Sequence, residues 1–204
     1  MRKNNLWRSN AIAWCGEGSR PVVTVLTIVI AAASCVAGFS QAPDASFGLL
    51  VWERDAIAAG QWWRLLTAHL IHLNERHLMM NLLGLWLLTE LLCERFSVAQ
   101  FLSLVIVSAL GVGVLLSLQP QLRWYAGFSG VLGGVWSGSA GLNWIREKNR
   151  CDLIALLALV IKLACSKPVI AGFPVVAVAH LYGALSGLLW LSLMLAHERR
   201  EVFD

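Results

Sequence analysis

Charge is what this sequence has least of. Only 14% of its 204 residues are Asp, Glu, Lys or Arg, against about 25% in an ordinary soluble domain. Meanwhile 58% are hydrophobic, where about 45–50% is usual. This balance excludes a solvated globule and points to several membrane spans. No basic run with interleaved aromatics occurs, which excludes a nucleic-acid partner. The net charge, +4, is modest. None of Cys15, Cys35, Cys93, Cys151 and Cys165 forms a C-x-x-C pair, and most lie in or beside apolar segments, where a thiol is a small hydrophobe. No repeated halves are visible, which argues against a small transporter. The length suits one helical bundle without a sizeable soluble domain.

What is present is a succession of apolar runs. The first spans Val22 to Phe39. Small residues near Ala33-Ser34-Cys35 resemble a signal-peptide end, but the run is long enough to span and is read as a retained helix. Residues 40–76 hold Trp52, Trp62, Trp63 and Arg64 and no spanning run. Tryptophan beside arginine is typical of the membrane–water interface. This loop is expected to carry short interfacial helices. Further spans are read at His77–Cys93, Val98–Leu118, Gly127–Ile145, Leu153–Cys165 (a short one) and Phe173–Ala196. The fold class is therefore an all-α polytopic membrane protein with six transmembrane helices in contact with the bilayer. Its parts are a cytoplasmic segment 1–21, a membrane domain 22–196 and a cytoplasmic tail 197–204.

Six spans put both ends on one side. Ten Lys and Arg fall on that side and five on the other, so the positive-inside rule makes the termini cytoplasmic. The second, fourth and sixth spans then start at the outer face. They carry His77 and Asn81, Ser129, and His180. His180 lies seven residues into its expected span, about 10 Å deep at 1.5 Å per residue. The four polar groups share a layer in the outer leaflet.

Polar groups in hydrocarbon need partners, because an unpaired one costs several kcal/mol. Gly130, Gly134 and Gly138 recur four apart on the fourth span, and Gly183 and Gly187 on the sixth. Such faces let membrane helices approach closely. If the two faces meet, Ser129 comes within reach of His180, the arrangement of a nucleophile with its base. Ser129 bonded to its own helix is the alternative. His77 and Asn81 have i,i+4 spacing and face one way, as oxyanion donors or as groups capping the helix and bonding the loop. A metal site from His69, His72 and His77 lacks a completing Cys or carboxylate, with Glu75 the nearest acid. Neither metal nor cofactor is expected.

These motifs together resemble the rhomboid intramembrane serine proteases over nearly all of residues 22–196. Trp63-Arg64 resembles the family's first-loop Trp-Arg, and His72 to Asn81 its His, His, Asn pattern. Gly127-Phe128-Ser129-Gly130 resembles the G-x-S-G nucleophile motif. Ala179-His180-Leu-Tyr-Gly183-Ala-Leu-Ser-Gly187 resembles the sixth-helix motif. The resemblance implies Ser129 as nucleophile, His180 as base, and His77, Asn81 and the Ser129 N–H as oxyanion hole. Gly127, Gly130, Gly134, Gly183 and Gly187 would pack the helices at that site. It also implies an enzyme cutting membrane-anchored protein substrates in a cell's inner membrane, with its site opening outward. Two positions depart from the family: Gly133 stands where an aromatic often stacks on the histidine, and Ala177 where Asn is frequent. The minimal length, the His-Leu-Asn-x-x-His run and the Gly-rich fourth span look most like the rhombosortases. Those imply substrates with a C-terminal Gly-Gly, hydrophobic helix and basic tail, with transpeptidase-like sorting as a further activity. A catalytically inactive rhomboid-like helix-binding protein is the alternative.

Overall fold

A computed structural model describes residues 20–39, 48–94, 96–165, 169–170, 173–174 and 177–203. Asp204, Cys15 and nearly all of the expected N-terminal segment 1–21 lie outside the described residues. Among the described residues six long helices form the body: α1 (Arg20–Ala37), α4 (Glu75–Leu92), α5 (Val98–Leu115), α6 (Ser129–Glu147), α7 (Arg150–Ala164) and α8 (Ala177–Phe203). Between α1 and α4 lie the short helices α2 (Arg54–Ala58) and α3 (Arg64–Thr67). Among the described residues, α1, the Val98–Leu118 segment and α8 up to Arg200 are long and apolar enough to cross a membrane.

Local signals set the helix ends. Asn74 caps α4, its side-chain oxygen accepting from His77 N at 2.8 Å. Ser97 and Gln100 form a reciprocal capping box at the start of α5. Lys148, with φ of 55°, turns the chain between α6 and α7, and Asn149 caps α7. The sixth long helix starts at Ala177, later than the Phe173 expected from hydropathy. Phe173–Pro174 is instead a short strand, β4, paired with β3 (Val169–Ile170). Proline biases its predecessor to extended backbone, so apolarity alone overran the helix start. His180 therefore sits in the first turn of α8, about 4.5 Å along it rather than about 10 Å.

The first loop is folded by side chains bonded to distant backbone. Arg64, 5% exposed, donates to the carbonyls of Gly48 at 2.5 Å and Val51 at 2.9 Å. Thr67 Oγ1 donates to Leu50 O at 2.8 Å. Trp52 Nε1 donates to Gly113 O on α5 at 2.7 Å. Strand β1 (Trp52–Glu53) pairs antiparallel with β2 (Trp124–Tyr125), Trp52 opposite Tyr125. Arg54 then reaches the carbonyls of Ser117, in the 3-10 turn that follows α5, and of Gln119 and Leu122 beyond it. The loop is thus fastened to the connection that leads into Ser129.

At the centre α6 lies against α8 with glycine facing glycine. A Cβ on Gly134 would stand 2.9 Å from Gly183 O, and one on Gly138 would stand 3.1 Å from Gly187 O. A Cβ on Gly183 or Gly187 would collide with the carbonyl oxygens of Gly130 and Gly134 respectively. No side chain fits between the two backbones at this level. Ser137 Oγ adds a bond across the interface to Ala184 O at 2.8 Å. Below it, Leu104, Val135, Leu142, Trp190 and Leu191 continue one apolar core.

Candidate active site

Ser129 is the first residue of α6 and is partly exposed. Phe128, before it, offers no side-chain cap. The first-turn N–H groups of α6 have no partner within the helix, and the Tyr125 hydroxyl lies against that positive end, beside Gly130 and the Ser129 side chain. The turn ahead of Ser129 depends on Gly127, whose φ of +126° disfavours any side chain. A Cβ at Gly127 would also stand 2.5 Å from His77 Cε1, so the imidazole lies directly over this glycine.

The peptide group joining Gly127 to Phe128 is pinned at both ends. Its oxygen accepts from the Tyr125 hydroxyl at 2.8 Å and lies 3.2 Å from His69 Nδ1. Its N–H donates to His72 Nε2 at 3.4 Å. One residue earlier, Gly127 N donates to Ala68 O at 2.8 Å. His69 reaches Ala109 O on α5 with its other nitrogen at 3.0 Å and meets the Tyr125 ring edge-on. Burial lowers the pKa of His69. It takes His72 down to about 3, helped by the neighbouring His77 and His69. Burial also pushes the Tyr125 hydroxyl up to about 12. Burial keeps all three neutral near pH 7, and a neutral His69, with one N–H and two facing carbonyls, donates to Gly127 O or to Ala109 O but not to both.

His180 is nearly buried, and its Nδ1 has no hydrogen-bond partner. Ala179 O and His180 O lie against Gly130 and Gly133, so the first turn of α8 touches the first turns of α6. The structure brings the two helix starts together but draws no hydrogen bond between Ser129 and His180 among the described residues. Catalytic bonds often tighten only once substrate is bound. His77 Nδ1 is likewise buried and unpartnered. Asn81, expected to offer its amide outward, donates from Nδ2 to His77 O within its own helix at 2.8 Å, leaving one N–H of that amide. The helix cap is Asn74, so neither His77 nor Asn81 fills that role.

His69 and His72, weighed from sequence as metal ligands and His72 also as the first histidine of the His, His, Asn run, have both ring nitrogens facing protein groups. Their framing role, and that of Tyr125, were missed. The partners lie 38 to 58 residues away in sequence, and no local pattern announces them. The only sequence signal was an unusual density of histidine in an apolar setting.

A helical membrane bundle, a glycine-set serine at a helix start and a histidine in the first turn of the facing helix define the class. The rhomboid domain matches residues 59–197. The chain belongs to the rhomboid family. It is similar to RHOMBOID-like protein 5 of Arabidopsis thaliana, 31% identical over 120 residues. That alignment covers 56% of this chain and 38% of the relative, so the chain spans well under half of the protein it matches.

Proposed function

We propose that the chain is an intramembrane serine endopeptidase working through a Ser129–His180 dyad. The observation that carries this is the meeting of the starts of α6 and α8, with His180 Nδ1 buried and without a hydrogen-bond partner among the described residues. The Ser129 hydroxyl attacks the scissile carbonyl while His180 takes its proton. The oxyanion that forms is met by the Ser129 N–H, His77 and the remaining N–H of Asn81. His180 then returns the proton to the leaving amine, which departs as the peptide bond breaks. Water, its proton taken by His180, resolves the acyl-enzyme, or an amine acceptor does so in a sorting reaction. Gly130, Gly134, Gly183 and Gly187 hold the two helices close enough for this exchange, and Gly127, expected to pack there too, instead shapes the turn ahead of Ser129 beneath His77.

The reading extends to topology: six spans in a bacterial inner membrane, termini cytoplasmic, membrane domain 22–196 flanked by segments 1–21 and 197–204. The site opens outward, and substrates are membrane-anchored proteins. The minimal length, the His-Leu-Asn-x-x-His run and the Gly-rich α6 favour rhombosortase-like processing of a C-terminal Gly-Gly, hydrophobic-helix and basic-tail signal. A catalytically inactive membrane-helix binder is the second reading. It is favoured by the missing Ser129–His180 bond and by the Asn81 amide turned to its own helix. Purified protein in liposomes, given two anchored reporters differing only in the Gly-Gly, separates them. Cleavage of the Gly-Gly reporter alone supports the full proposal. Equal cleavage of both leaves a protease without the sorting specificity. Cofractionation without cleavage of either favours the binder.

A further inference from the structure

The bond from Phe128 to His72 can form only one way round. A backbone N–H donates, so His72 Nε2 must present its lone pair at 3.4 Å. In a neutral imidazole the proton then sits on Nδ1. Nδ1 faces Ser34 Oγ on α1 at 3.1 Å. The Ser34 hydroxyl accepts that proton and donates its own to Leu70 O, also at 3.1 Å. The relay therefore has one direction, and each member is satisfied. Ser34 and His72 are both fully buried, so bulk water does not compete. With the proton on Nε2 instead, two donors would face each other in a dry site. An unsatisfied buried donor costs about 1–3 kcal/mol.

The link from Phe128 holds the N–H end of the peptide whose oxygen accepts from Tyr125 and lies beside His69. At 3.4 Å it is the longest of the relay and the most sensitive to which nitrogen carries the proton. Losing it frees that peptide to tilt, and with it the backbone that presents Ser129. Helix α1 packs chiefly on α4, so Ser34 brings an otherwise peripheral helix to bear on the site.

We infer that Ser34 is a positioning residue for the nucleophile turn: it keeps the His72 proton on Nδ1, so that Nε2 accepts the Phe128 N–H and fixes the peptide ahead of Ser129. This rests on the serine-protease reading above.

Nitrogen-15 NMR of histidine-labelled protein in lipid reads the tautomer directly, with His72→Gln identifying the resonance. In the wild type, Nε2 should be the unprotonated nitrogen and Nδ1 the protonated one. Ser34→Ala should mix the tautomers and lower kcat by about tenfold with KM unchanged, short of the roughly 100-fold that a full 1 Å misplacement can cost. Ser34→Cys, similar in size and a weaker acceptor, should fall between. A wild-type proton on Nε2 overturns the inference even if Ser34→Ala fails to fold. So does a Ser34→Ala variant with normal kcat, or one whose loss lies wholly in KM. A wild type that cleaves nothing and takes no serine-directed probe would instead refute the protease reading; that result is separable because the tautomer is read without substrate.

Discussion

Gly183→Ala is the smallest change that tests the helix contact. The added Cβ would stand 2.8 Å from the carbonyl carbon of Gly130 and 3.2 Å from Gly134 N, and would overlap the Gly130 oxygen. Carbon atoms rest at about 3.5–4.0 Å, so the Gly130 carbonyl carbon alone requires α8 to retreat from α6 by roughly 0.7–1.2 Å, and the closer Gly130 oxygen requires more. The obstacle is backbone on both sides, and no rotamer change relieves it. Overpacking of this kind costs about 1–3 kcal/mol. A shift near 1 Å between reacting groups costs about 100-fold in rate. Gly84→Ala is the control, because its Cβ would meet only the tip of Leu132, 2.9 Å away, and a leucine terminus can move. Thermal melts and initial cleavage rates in detergent measure both effects. Gly183→Ala should lose about 100-fold in rate and several degrees in Tm, with Gly84→Ala close to wild type. Equal, mild behaviour of the two variants would refute the backbone-contact argument.

Three further outcomes follow from the same structure. His72 is held neutral by burial, with a pKa of about 3 against 6.5, so its contribution to stability is complete above pH 6.5 and declines as pH falls toward 3. At about 1.4 kcal/mol per pH unit, roughly 2 kcal/mol should be gone by pH 5. The Tm should drop accordingly between pH 7 and 5, less so in His72→Gln, and a flat profile would contradict this. Asn81→Ala and His77→Ala should fold and slow cleavage, by about 10²–10³-fold for a donor that acts alone; an unaffected double variant would confine both to structure. Cysteine labelling from outside should reach a residue placed near Gln119 and not one near Asn149, and the reverse pattern would invert the proposed topology.

How much of this was legible in the sequence differs by element. Helices α1, α4, α5 and α6 lie within a few residues of their apolar runs, because burial in lipid or core demands long hydrophobic stretches. The glycine spacing was readable because the helical period places every fourth residue on one face. The start of α8 was not, since Phe173 and Val175 are as apolar as the helix beyond and Pro174 redirects the chain. The first loop was foreseen as short helices but not in its path. That path is set by Arg54 and Arg64 bonding carbonyls 13 to 68 residues away. The same holds at the site. Ser129, His77, Asn81 and His180 were singled out from motif and spacing, whereas the frame of Ser34, His69, His72 and Tyr125 exists only once the chain is folded. The inward turn of the Asn81 amide was equally invisible, because i,i+4 spacing gives a face and not a rotamer.

The central claim is that Ser129 is a nucleophile activated by His180. Covalent labelling with a fluorophosphonate, read by mass spectrometry of intact protein and of its peptides, tests it most directly. The probe reacts with a serine only where a base draws off its proton. Wild-type protein should gain one adduct, on Ser129. Ser129→Ala should gain none, His180→Ala should be slowed by orders of magnitude, and the double variant, which lacks the nucleophile, should match Ser129→Ala. An adduct on another serine, or labelling of His180→Ala at the wild-type rate, would contradict the account.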